Sequence, residues 1–206
     1  MNRKIIVITG YLASGKSTFA QRLSSELNIP YIIKDTFKSA LCASIDIDSR
    51  EESSRFSAVT FDAMMYVAER HIETGNPFII EGNFVPGGIK KTDEAGVIKA
   101  LLEKYNCQSL TFKFIGDTKI LHKRFIKRDI LPERGQANTI GYEPSYDEFN
   151  LWCHNLGDFD VSGETVAVDT TDFEAVDFEL NIKLAQGFLG RARNGKLDGN
   201  DRRIGG

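Results

Sequence analysis

Short apolar runs alternate along this chain with longer stretches in which apolar residues recur every three to four positions. Ile5 to Thr9 is rich in β-branched residues and ends on Gly10. Apolar on both faces, it predicts a buried strand. From Lys16 to Leu27, Phe19, Ala20, Leu23 and Leu27 follow helical spacing, and Pro30 marks entry to a second strand at Tyr31–Ile33. Phe37 and Leu41 predict a short helix behind Asp35, residues 43–54 a polar loop, and Ser49 with Glu52 a capping box. A helix over Glu52–Thr74 follows, carrying Phe56, Thr60, Ala63, Val67 and Ile72, with Gly75-Asn76-Pro77 as its stop. Strands are expected at Phe78–Ile80, Leu110–Ile115 and Thr165–Val168. Between them fall a helix through Val97, Ile98, Leu101, Leu102 and Tyr105, one over Thr118–Asp129 capped by Asp117, and one capped by Ser145 and Glu148 and stopped by Gly157. Thr171 and Glu174 are expected to cap a last helix with Phe173, Val176, Leu180, Leu184 and Phe188.

Strand and helix alternate throughout, so right-handed crossovers predict an α/β fold: a five-stranded parallel sheet between two helical layers. At 206 residues with 41% hydrophobic positions the chain holds one core. Residues 1–189 are read as the domain, and 190–206, Gly- and charge-rich without periodicity, as a tail. A formal charge of −3 supplies no global basic field, which argues against duplex nucleic acid as a partner. Cys42, Cys107 and Cys153 are too scattered for a disulfide framework or a metal clip, and suit reduced thiols in a cytoplasmic protein. The apolar run after Arg3-Lys4 is too short for a signal peptide, and no stretch has the length of a membrane span. The expected assembly is a monomer or homodimer.

The chemistry begins where the first strand ends. Gly10-Tyr11-Leu12-Ala13-Ser14-Gly15-Lys16-Ser17 matches GxxxxGK[ST], the Walker A or P-loop pattern, and Thr18 follows. With a strand leading in and a helix leading out, backbone N–H groups and a helix N-terminus converge on phosphate oxygens. Gly10, Ala13, Ser14, Gly15, Lys16, Ser17 and Thr18 are therefore candidates for nucleotide binding. Lys16 would face the β- and γ-phosphates, and the Ser17 hydroxyl would ligate Mg²⁺. ATP is favoured over GTP because no NKxD follows a strand, and the one DxxG, Asp93–Gly96, falls inside an expected helix. Glu81, ending the third strand, is a candidate for the metal shell or for an acceptor hydroxyl; the competing reading is a strand-end carboxylate capping a loop. No hhhhD Walker B segment is evident.

On Gly10–Thr18 and on Ile32-Ile33-Lys34-Asp35-Thr36-Phe37, the chain resembles the small P-loop kinases that include chloramphenicol phosphotransferase, zeta-toxin kinases, shikimate kinase and the 5′-kinase domain of phage polynucleotide kinase. The resemblance covers most of Ile5–Phe188, and the first motif is the specific one. It implies a P-loop NTPase fold with a helical lid, here about 118–144, and it casts Asp35 as general base, against the plainer reading of a helix N-cap. It places Arg124 and Arg128, one turn apart, in the lid to neutralise the transferring phosphoryl group, where a solvated helix face is the alternative. Arg134 matches the lid only loosely. Val168-Asp169-Thr170-Thr171 resembles the family's segment near the adenine, which makes Thr170 a nucleotide-side candidate; strand end plus capping box is compatible with it.

Three functions compete. An ATP-dependent phosphotransferase acting on a hydroxyl of a small molecule leads, Asp35 being the feature that argues for it. The others are a nucleotide-dependent switch signalling to a protein partner and a 5′-hydroxyl nucleic-acid end kinase, the last disfavoured by the negative charge. His71, His122 and His154 lack zinc spacing, and Ser14 and Ser17 lack a His–Asp partner. The acceptor's identity is expected to reside in 36–54 and 82–92.

Overall fold

A computed structural model describes residues 2–45, 47, 49–86, 93–129, 138 and 142–190. The elements are β1 (Lys4–Gly10), α1 (Lys16–Leu27), β2 (Tyr31–Ile33), α2 (Lys34–Leu41), α3 (Arg50–Thr74), β3 (Phe78–Glu81), α4 (Glu94–Lys104), β4 (Gln108–Ile115), α5 (Thr118–Asp129), α6 (Tyr146–Gly157), β5 (Glu164–Asp169), a 3₁₀ turn (Phe173–Ala175) and α7 (Phe178–Leu189). The five strands form one parallel sheet in the order β2-β3-β1-β4-β5. β1 lies at its centre, so the loop leaving β1 emerges in the middle of the sheet's C-terminal edge, where ligands bind in open α/β folds.

Alternation along β1 builds both layers. Ile5 and Val7 pack with Phe61, Met64, Ala68 and Ile98 of α3 and α4, while Ile6 and Ile8 pack with Phe19, Leu23, Ile182 and Ala185 of α1 and α7. Phe19 anchors α1 with its ring centroid 5.1 Å from Phe112, 5.4 Å from Phe114 and 5.5 Å from Phe178. A third cluster, Leu121, Phe125, Phe149 and Cys153, joins α5 to α6 and packs against Tyr11, Leu12 and Ala13. α5 and α6 thus rest on the loop itself. Thr118–Asp129 is helical as expected, whereas most of the expected lid segment beyond it, Arg134 included, and the expected tail after Gly190 lie outside the described residues.

Caps behave as the side chains dictate at α3 and α6, where Ser49 accepts from Glu52 N–H and Ser145 from Glu148 N–H, each at 3.2 Å. The last helix differs from expectation. The Thr171 hydroxyl accepts from the Asp117 N–H at 2.8 Å rather than capping the turn ahead. The chain instead makes a 3₁₀ turn capped by Asp172, becomes extended at Val176, and starts α7 under Asp177, which accepts from Leu180 N–H at 2.8 Å. The DxxG at Asp93–Gly96 also sits differently: Asp93 is the N-cap of α4 and accepts from Gly96 N–H at 2.8 Å. That spacing is a helix start. No helix among the described residues is long and apolar enough to cross a membrane.

Candidate active site

Two glycines set the path of the loop between β1 and α1. Gly10 has φ 118°, and a Cβ there would stand 2.1 Å from the Phe114 carbonyl oxygen. Only glycine fits both the backbone and the space. Gly15, at φ 86°, lies under the Phe173 ring, 2.2 Å from where a Cβ would be. Between them Ala13 is left-handed at φ 57°. Tyr11 is the loop's internal pin: its N–H donates to Phe114 at 2.8 Å, and its carbonyl accepts from Ser14 Oγ at 2.7 Å and from Lys16 Nζ at 2.5 Å.

Residues 13–18 of this loop, with Asp35, Glu81, Asn83 and Arg128, enclose a cavity of about 170 Å³. The tertiary fold supplies the last four from the ends of β2 and β3 and from α5. Register explains the first pairing: Ile33 lies beside Glu81 at the edge of β2 and β3, so both chains turn into the cavity at the same level. Asp35 occupies the first turn of α2, whose N-cap is Ile33. It is therefore not a capping residue, and an acidic side chain there is favoured by the helix dipole.

Ser17 Oγ donates to Glu81 Oε2 at 3.1 Å, joining positions 64 residues apart. A hydroxyl and a carboxylate on one wall are hard oxygen donors suited to Mg²⁺, which keeps several waters and takes few protein ligands. Among the described residues there is no group of three or more His, Cys, Asp or Glu side chains placed to hold a metal. Lys16 is buried at 6% exposure and Glu81 at 4%. Burial pushes the Glu81 carboxyl up to about 7 against the pull of Lys16, and burial draws the Lys16 ammonium down to about 8 against the pull of Glu81. Each charge is more costly here than in water, which is the condition in which incoming opposite charge gains most.

The two arginines expected in a lid part company. Arg128 reaches the cavity, while Arg124 donates to the backbone carbonyls of Thr170 at 2.6 Å and Thr171 at 2.8 Å. Thr170, fully buried, sends both its N–H and its hydroxyl to Ile115 O at 2.9 Å. Arg124 and Thr170 are thus brought to each other beside the β5 end, outside the cavity lining, and Gly10, at the end of β1 against the Phe114 backbone, is outside it too. The Asn83 side chain also lines the cavity, and its buried Oδ1 has no hydrogen-bond partner among the described residues. Phe173 over Gly15 was not foreseen as part of the site; an aromatic in an apparent helix turn carries no signal of that contact.

The fold is a three-layer α/β/α arrangement, a five-stranded parallel sheet with helices on both faces. Among solved structures it is similar to a "putative kinase" from Chloroflexus aurantiacus J-10-fl, with TM-score 0.77 at 21% identity over 92% of this chain and 97% of that one. It is also similar to a sugar kinase from Janibacter sp. HTCC2649 (TM-score 0.54, 15% identity, 93% and 96% covered) and to a gluconokinase from Sinorhizobium meliloti 1021 (0.54, 16%, 92% and 98%). Neither a protein-family profile nor a curated protein matches the sequence.

Proposed function

We propose that this protein is an ATP-dependent phosphotransferase that moves the γ-phosphoryl group of ATP to a hydroxyl of a small molecule. The observation that carries the reading is the convergence of the Lys16 ammonium, the Ser17–Glu81 pair and the Asp35 carboxylate on one cavity at the mouth of the phosphate loop. The three kinase-named structures of similar fold support it, two of them named for sugar or gluconate phosphorylation. ATP is the expected donor and a small molecule the expected acceptor.

In this reading the loop N–H groups and the N-terminus of α1 hold the phosphates, and Lys16 leaves the Tyr11 carbonyl to face them. Ser17 and Glu81 would hold Mg²⁺, which supplies charge neutralisation on the β- and γ-phosphates. Asp35 accepts the proton of the acceptor hydroxyl as its oxygen bonds to the γ-phosphorus, and the bond from that phosphorus to the β–γ bridging oxygen breaks, releasing ADP. Arg128 stabilises charge on the phosphoryl group in flight, while Arg124 holds the Thr170–Thr171 backbone that borders the nucleotide side. The test is ADP release by the purified protein with ATP and Mg²⁺ against neutral sugars, sugar acids, nucleosides, aminoglycosides, phenicols and short 5′-hydroxyl oligonucleotides. Acceptor-dependent release with a phosphorylated product is expected. Hydrolysis unaffected by every acceptor would overturn the reading in favour of a nucleotide switch.

A further inference from the structure

The two segments that bring Asp35 and Asn83 to the cavity are tied together by an ion pair that the site chemistry does not use. Lys34 Nζ, at the start of α2, donates to Glu94 Oε1, at the start of α4, and the two side chains are both 9% exposed. The second carboxylate oxygen of Glu94 accepts from Val85 N–H at 3.2 Å, and Val85 O accepts from Glu94 N–H at 3.0 Å and from Ala95 N–H at 3.3 Å. The Lys34 stem runs against the β3 exit, where a Cβ on Gly82 would lie 3.1 Å from Lys34 Cβ, and its ammonium stands 5.3 Å from the Phe61 ring centroid. Lys34 directly precedes Asp35, and Gly82 directly precedes Asn83.

A buried ion pair is a poor device for stability, because desolvation of both charges consumes most of their attraction and an apolar pair of similar volume commonly serves as well. It does impose directionality. One carboxylate, with one oxygen on the lysine and the other on a backbone N–H, allows a single spacing between the α2 start and the Gly82–Val85 segment, whereas aliphatic side chains would slide. We infer that the Lys34–Glu94 pair is a positioning device for the acceptor side of the site, fixing the Asp35 segment against the Asn83 segment so that both side chains address one acceptor hydroxyl. The inference rests on the phosphotransferase reading for its kinetic consequence, though not for its structural one.

The test is the double variant Lys34→Met/Glu94→Leu in the full chain. It is expected to fold with Tm close to that of the parent, loss of the desolvated pair offsetting the Val85 N–H left without its acceptor, and to keep the KM for ATP within about twofold, while kcat with the acceptor falls about tenfold or more, the scale of a misplaced reacting group. Parental turnover at parental Tm would reduce the pair to packing and overturn the inference. Should the double variant not fold, Glu94→Gln, which keeps the shape but offers one acceptor oxygen to two donors and removes the charge, carries the same kinetic comparison. Amide hydrogen exchange over Gly82–Val85 separates this inference from the functional reading. Exchange should quicken by about tenfold or more in the variant whether or not any acceptor is phosphorylated, and unchanged protection would sink the clamp even in an active kinase.

Discussion

The proposed phosphate side and the proposed acceptor side of the cavity are built in opposite ways. The phosphate side is one contiguous segment, Gly10–Thr18, whose conformation is dictated by its own glycines and pinned through the Tyr11 carbonyl. The proposed acceptor side is assembled from chain segments far apart: Asp35 after β2, Glu81 at the end of β3, Asn83 just beyond it, and a Lys34–Glu94 tie spanning 60 residues. The contrast follows from the chemistry. Phosphate is recognised mainly by backbone N–H groups, which a short loop supplies. A specific hydroxyl has to be met by side chains from several directions, and only packing brings those together.

The comparison breaks most sharply at Lys16. Lys16→Ala is expected to abolish acceptor-dependent turnover and to weaken ATP binding in titration calorimetry, since no other residue of the loop carries a positive charge. Asp35→Asn tests the opposite wall and should separate binding from chemistry. ATP affinity is expected to stay within about twofold while phosphoryl transfer drops by about 10²-fold or more, and equal turnover in single-turnover kinetics would remove Asp35 from the mechanism.

Smaller effects sharpen the contrast through stability. Gly10→Ala must place a methyl group against the Phe114 backbone at a φ of 118°, and a loss of at least about 2 kcal/mol in denaturant titration is expected. On the other wall, Glu81 should show a cost that depends on pH. Its pKa is raised from 4.5 to about 7 by burial, so the protonated form is the one that favours folding: that contribution is whole below 4.5 and is lost as pH rises through 7. Glu81→Gln imitates the protonated form. Its Tm without nucleotide should match the parent near about pH 5 and exceed it near about pH 8, with Mg²⁺-dependent turnover lost at both, and a Tm difference independent of pH would contradict the burial argument.

Lys16 has the converse sign. Burial lowers its pKa from 10.5 to about 8, so its neutral form favours folding, and that contribution is lost as pH falls through 8. Both titrations describe a site that holds charge at a cost to the fold. ATP and Mg²⁺ would relieve it from each side.

Much of this molecule was legible before folding. The strand-loop-helix unit at Ile5–Leu27 declares itself because its pattern, its glycines and its lysine are neighbours in sequence, and the two Ser-x-x-Glu boxes at α3 and α6 work through side chains three residues from their targets. The same local reasoning failed at Thr171–Glu174. There a competing partner 54 residues away, the Asp117 N–H, captures the hydroxyl that would have capped the helix. Asp35 could be picked out as a carboxylate beyond β2, but its place in the first turn of α2 depends on where the backbone of β2 gives way to helix.

The sequence by itself determined the order of strands and helices and the phosphate loop, because periodicity and steric freedom act over a few residues. The tertiary structure alone decided that Glu81 meets Ser17, that Arg128 enters the cavity while Arg124 turns to the Thr170 backbone, and that Lys34 closes on Glu94. Those contacts are set by sheet register and helix packing, in which every position depends on the whole core.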